Sequence, residues 1–124
     1  MPTSQQKLSP GEFEVLKILW KLNLGTVAEV RQAYDPHRGM RPAYTTTMTV
    51  LGRLVEKNAA RVDKDTQPFV YRPAIRRAPF LRRRLREFIE ANYEGDTDLL
   101  LEDLLGDAHV SAEDLQRVAR DSRE

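Results

Sequence analysis

The sequence contains no cysteine. That excludes a disulfide framework, a thiolate metal site and a cysteine nucleophile, and it fits a reducing compartment. Histidine is nearly as scarce. His37 and His109 are far apart, and neither has the spacing that sets two metal ligands on one helix face. There is no glycine-rich phosphate loop and no G-x-S-x-G turn. Aromatic residues are only 7% of the chain, so a core must come mainly from Leu, Val and Ala. No apolar run approaches the ~20 residues a membrane span needs. Residues 1–7 are polar, without the apolar stretch of a secretory signal. The expectation is a soluble, cytoplasmic, non-enzymatic protein that inserts into no membrane and takes no cofactor or metal.

What is present is a globular composition, with 40% hydrophobic and 31% charged residues in 124. That length fits one domain, or one domain plus an appendage. The net charge of +1 hides a polarity along the chain. Residues 1–86 carry 17 basic against seven acidic side chains, and residues 87–124 carry three against twelve. Such asymmetry suggests one part that faces a polyanion and one that stays off it. The plainer alternative is two solvated surfaces.

A first helix is announced by Ser9, Pro10, Gly11 and Glu12: a capping serine, a proline whose missing N–H is harmless there, and a glutamate that completes a capping box. Phe13, Leu16, Leu19 and Trp20 follow at helical spacing, and Gly25 is expected to end the stretch. Thr26 and Glu29 form a second capping box, before a short helix with Val27, Val30 and Tyr34 on one face. Residues 35–42, with two prolines and Gly39, read as a loop.

A third helix is expected over residues 43–57, with Thr47, Val50, Leu51 and Leu54 inward. Thr45, Thr46, Met48, Thr49, Gly52 and Arg53 then look outward. Threonine is a mediocre helix former, so something other than local propensity must favour four of them here. Asn58 suits a left-handed C-terminal cap. Two β-like runs follow, 61–65 and 69–72, with Thr66, Gln67 and Pro68 as the turn. Val62, Phe69 and Tyr71 can face the helices while Arg61, Lys64 and Arg72 stay wet. Three helices and then a hairpin is the order of a winged helix.

Pro79 opens a fourth helix, with Leu81, Leu85, Phe88, Ile89 and Tyr93 at helical spacing. Leu99, Leu100, Leu101, Leu104 and Leu105 make a fifth that is apolar around most of its circumference. Ser111 and Asp114 cap a sixth, with Leu115, Val118 and Ala119 inward. So few residues cannot bury that many leucines within themselves. A second copy is the expected cover, since two-fold homodimers are the commonest soluble oligomer. Leu81, Leu85, Phe88, Leu100, Leu101, Leu104, Leu105, Leu115 and Val118 are the candidate dimerisation residues.

The outer face of the third helix is the candidate binding surface. A helix in the major groove must present short or flexible polar side chains to base edges and phosphates. Threonine supplies a hydroxyl that donates and accepts, and a methyl that touches a thymine methyl. Arg53 and Arg41 are placed to pin phosphates, and Lys64 and Gln67 to follow the backbone or reach the minor groove. The alternative is that these are only the wet side of a core helix. The six arginines between positions 76 and 86 suit either DNA phosphates or salt bridges to acidic helices.

Three segments together resemble the BlaI/MecI penicillinase-repressor family: LSPGEFEVLKILW at 8–20, YTTTMTVLGRLVEKN at 44–58, and the wing ending VYRP at 70–73. The resemblance covers nearly the whole chain. It implies an α+β, mainly α fold: a winged helix (three helices plus a β-hairpin wing) over residues 1–76, followed by a three-helix dimerisation domain over 77–124. It implies a homodimeric, sequence-specific transcriptional repressor on double-stranded DNA with a two-fold operator. Carried over, its contacts fall on Thr45, Thr46, Met48, Thr49 and Arg53, with Lys64 and Gln67 in the wing. Copper-responsive relatives use a C-terminal cysteine cluster, which this chain lacks. Staphylococcal relatives are cut at an Asn-Phe bond through a membrane sensor protease; the corresponding pair here is Asp103-Leu104. The competing class is a winged-helix protein-interaction module that binds no nucleic acid.

Overall fold

The computed structural model describes residues 7–106 and 110–122. The chain divides into two compact units, Met1–Arg77 and Ala78–Glu124. In the first, helices α1 (Pro10–Leu22), α2 (Val27–Gln32) and α3 (Tyr44–Glu56) precede strands β1 (Ala60–Asp63) and β2 (Val70–Pro73). In the second, α4 (Arg77–Tyr93), α5 (Thr97–Gly106) and α6 (Ala112–Ser122) follow one another.

Local chemistry explains where the helices begin. Ser9 Oγ accepts from the Glu12 N–H at 3.1 Å, and Glu12 Oε1 accepts from the Ser9 N–H at 2.8 Å. Thr26 and Glu29 repeat the arrangement at 3.2 and 2.9 Å, so both expected capping boxes form. Helix α1 buries Val15, Leu16, Ile18 and Leu19, while Phe13 and Trp20 lie half-buried at its flank. The two rings meet edge to face at 6.2 Å. The Trp20 indole N–H donates to the Ile75 carbonyl at 2.8 Å. A polar indole edge thus finds a partner at the rim of the core, which is why Trp20 anchors there and not in the centre.

Gly25 does not end α1. Asn23, at φ 71°, does so, with its N–H bonded to the Leu19 carbonyl at 2.8 Å. Gly25 instead exchanges both backbone bonds with Tyr71, at 2.9 and 2.8 Å, and so adds a third rung beside β2. An added Cβ there would come within 3.2 Å of Leu22 Cδ1, so the leucine side chain would have to shift to admit it.

Helix α3 closes with a Schellman motif: Ala59 N–H reaches the Leu54 carbonyl at 2.8 Å and Asn58 N–H the Val55 carbonyl at 3.0 Å. Asn58, at φ 61°, is the left-handed residue that the motif needs, as its identity suggested. The strands pair antiparallel with Val62 opposite Tyr71 and Arg61 opposite Arg72. β1 ends two residues before the sequence reading, where Asp63 Oδ1 takes the Asp65 N–H at 2.9 Å, and β2 is shifted by one residue toward the C-terminus. The core joins α1, α2, α3 and the wing through Leu16, Leu19, Val30, Leu51, Leu54 and Tyr71.

The helical unit has a different character. None of α4, α5 or α6 has a fully buried residue. Helix α4 begins at Arg77, two residues before Pro79. It ends where Glu94 and Gly95 take positive φ of 50° and 80°. The Tyr93 hydroxyl donates to Asp103 Oδ2 at 2.8 Å, linking α4 to α5. Ser111 Oγ accepts from the Asp114 N–H at 3.0 Å at the start of α6.

Candidate nucleic-acid interface

Helix α3 separates its faces cleanly. Thr47, Leu51 and Leu54 are fully buried, and Val50 half so. The Thr47 hydroxyl donates to the Ala43 carbonyl at 3.2 Å, which lets a threonine sit in the core without an unpaired polar group. The other threonines are not needed for packing: Thr45, Thr46 and Thr49 are exposed, as are Met48 at 44% and Arg53. Thr46, Thr49 and Arg53 follow one another at i, i+3 and i+7, so they form one ridge. Thr45, Met48 and Gly52 form the next. The only carboxylate of α3 is Glu56, in its last turn, so the first three turns carry no negative side chain.

Gly52 stands in the middle of this surface, where glycine weakens a helix by about 1 kcal/mol relative to alanine. Nothing lies within 4 Å of where its Cβ would be, apart from the helix's own backbone. No packing inside the chain requires the missing side chain. Tyr44, exposed at the first position of α3, also belongs to this surface and was not singled out from sequence. Its place one helical turn before Met48 was the available signal.

Arg41 sits differently from a free phosphate ligand. Its Nε donates to the Arg31 carbonyl at 3.0 Å and its Nη2 to the Gln32 carbonyl at 3.4 Å. Arg31 Nε in turn donates to the Pro42 carbonyl at 2.7 Å. These bonds staple the loop before α3 to the end of α2 and fix where α3 begins, while Arg41 stays exposed. In the wing, Lys64 and Gln67 are exposed in the turn. The Thr66 hydroxyl bonds within that turn to the carbonyls of Asp63 and Pro68, at 3.3 and 2.9 Å. Burial, helped by nearby Tyr44, raises the Tyr71 hydroxyl above its ordinary value.

His37 is exposed in the loop after α2, and His109 lies outside the described residues. Among the described residues no three His, Asp or Glu side chains gather as a metal site, and no helix is long and apolar enough to cross a membrane. In the helical unit, Leu85, Phe88, Leu101, Leu104, Leu105 and Val118 are 37–54% exposed, and Leu81, Leu100 and Leu115 are half-buried. Val118, expected to turn inward, is 54% exposed.

Three helices with a hairpin wing, followed by three helices without a fully buried residue, define a winged-helix protein with a helical C-terminal unit. The family profile described as "Penicillinase repressor" matches residues 8–121. The chain is also similar to the penicillinase repressor of Bacillus licheniformis, 26% identical over 112 residues that cover 90% of this chain and 86% of that protein. The chain belongs to the penicillinase repressor family, a family of transcriptional repressors and not of enzymes.

Proposed function

We propose that this chain is a homodimeric repressor that binds a two-fold DNA operator in a sequence-specific manner, working in the cytoplasm. Residues 1–76 are the DNA-binding domain and residues 77–124 the dimerisation domain. The observation that carries the reading is the outer surface of α3, where Thr45, Thr46, Met48, Thr49 and Arg53 are exposed around Gly52 with no carboxylate before Glu56. A major groove accepts such a helix. Hydroxyls read base edges, Met48 and the threonine methyls meet thymine methyls, and Arg53 takes a phosphate. Arg41, Lys64 and Gln67 flank it. With Thr45 and Met48 in that helix, contact is more hydroxyl and apolar, and bidentate guanine recognition is less used.

Dimerisation is supported by the exposed leucines of α5 and the exposed apolar side chains of α4 and α6, since exposed apolar patches mark interaction surfaces. Two copies present two recognition helices, spaced by one DNA turn, ~34–36 Å, or a multiple of it. Release from DNA fits cutting of the Asp103-Leu104 bond by a membrane sensor protease. That bond lies within α5, so the helix must open locally before a protease cleft admits it.

Fluorescence anisotropy of the full chain tests the reading. One duplex carries the region upstream of its own coding sequence and the other is its scrambled counterpart, over a range of salt. The expected result is a preference for the upstream duplex at two chains per site, with affinity falling steeply as salt rises. Equal binding of both duplexes at every salt concentration overturns it.

A further inference from the structure

Arg61 and Arg72 stand directly opposite each other on the two strands of the wing. Tyr71 turns its own N–H and C=O toward Gly25, so Arg72, the next residue, turns its own toward β1. The two arginines are therefore a hydrogen-bonded pair of the ladder, with Cα atoms about 5.5 Å apart and both side chains on one face. That face is the outer one, because the adjacent pair, Val62 and Tyr71, points to the core. Both arginines are exposed, and among the described residues neither meets a carboxylate. The one acid on the same face, Asp63, spends Oδ1 on the Asp65 N–H.

Like charges directly opposite each other destabilise a hairpin. Among the described residues no carboxylate forms an ion pair with either arginine, and two guanidinium groups side by side are suited to an oxyanion. Guanidinium groups match phosphate geometry and remain charged at any physiological pH. β1 begins four residues after α3 ends and packs against it, and Arg53 is exposed in the last turn of α3.

We propose that Arg61 and Arg72 form a phosphate clamp, both guanidinium groups gripping one backbone phosphate of a DNA duplex beside the groove that α3 enters. The inference rests on the DNA-binding reading above. The clamp carries no sequence information; it fixes the register of the wing on the duplex. Because two arginines share one phosphate, their contributions are coupled. Losing one removes most of what losing both removes.

The test measures the full-length Arg61→Gln, Arg72→Gln and double variants by anisotropy, on the upstream and scrambled duplexes, between about 50 and 200 mM salt. Arg61→Lys with Arg72→Lys serves as the charge-preserving control. Each glutamine variant is expected to weaken binding to both duplexes by the same factor, about tenfold. The slope of log K against log salt should fall by about 1 in the singles and hardly further in the double. The lysine pair should keep the slope. Without the repulsion, the glutamine variants should melt at or above the wild-type temperature.

An unchanged slope in the double variant, with the wild type binding normally, overturns the clamp. So does weaker binding accompanied by a lower melting temperature, because the arginines would then be structural. A change in self-association of the DNA-free protein with the slope intact also overturns it, in favour of an acidic protein segment as the partner. A wild type that binds neither duplex removes the DNA-binding reading itself, and the clamp with it.

Discussion

Lys57 Nζ lies 2.6 Å from Glu12 Oε1 and 3.0 Å from the Lys7 carbonyl, so the C-terminal end of α3 is fastened to the start of α1. The Glu12 side chain is only 5% exposed and also receives the Ser9 N–H at 2.8 Å. A cation at a helix C-terminus is favourable in itself. The pair thus combines a cap, an ion pair and an interhelical tie that sets the angle at which α3 is presented.

Replacing Glu12 with glutamine keeps a capping-box side chain but removes the charge that Lys57 faces. Lys57 keeps 27% of its side chain in solvent, which screens the loss. The expected cost is about 1–2 kcal/mol, read as a lower urea midpoint at neutral pH. Burial alone raises the Glu12 carboxyl, but the hydrogen bonds from Lys57 and Ser9 and the Lys57 charge outweigh it and hold it below its ordinary value of 4.5. A folded value below the unfolded one stabilises the protein fully above pH 4.5. That contribution is lost as pH falls through the depressed value. The gap between wild type and Glu12→Gln should therefore close on acidification. A gap that stays constant with pH would refute the ion pair as its source.

Arg53 and Thr46 share a ridge but are expected to act differently on DNA. Arg53→Ala should weaken binding to every duplex and reduce the salt slope by about 1, as a lost phosphate contact does. Thr46→Ala should leave the slope alone and narrow the gap between operator and scrambled duplex by about 1–3 kcal/mol. Matched salt titrations of the two variants separate these effects. Identical behaviour on both duplexes for Thr46→Ala would remove it from base recognition.

The winged helix was legible in the sequence because its signals are local. Ser9 and Glu12 announce α1, Thr26 and Glu29 announce α2, Asn58 closes α3, and a 3.6-residue rhythm assigns Thr47, Leu51 and Leu54 to the core. What stayed hidden depends on pairing between distant segments. Gly25 read as a helix stop because nothing local shows that it bridges to Tyr71. The bonds that Arg41 makes stayed hidden because its acceptors are the carbonyls of Arg31 and Gln32, groups that every residue carries. The Arg61 and Arg72 pair requires the strand register, which a turn of uncertain length leaves open. On α3 the hydroxyl face was visible from spacing alone.

The helical unit offers a test independent of DNA. Leu101 and Leu104 are 37% and 38% exposed on α5. If a second copy covers them, Leu101→Asp or Leu104→Asp places a charge in a dry interface at about 3 kcal/mol or more, a loss of more than a hundredfold in dimer affinity. Sedimentation should then show monomers, and operator binding should weaken because two half-sites are no longer summed. A variant that still sediments as a dimer would move the interface elsewhere.

Gly52 allows stability and binding to be separated in one substitution. The site is helical and nothing in the chain lies within 4 Å of an added Cβ, so Gly52→Ala meets no steric penalty. Alanine is the better helix former, and the free protein should gain up to about 1 kcal/mol. The same methyl group stands on the ridge of Thr45 and Met48, where it would hold the α3 backbone off the groove if this face meets DNA as proposed. Operator affinity should therefore fall by about tenfold, or 1.4 kcal/mol, while the urea midpoint rises. Opposite signs in the two measurements are what a recognition surface predicts, since a merely solvated helix face would gain stability and lose nothing. A Gly52→Ala protein that is more stable and binds as well as wild type would count against α3 as the element that enters the groove.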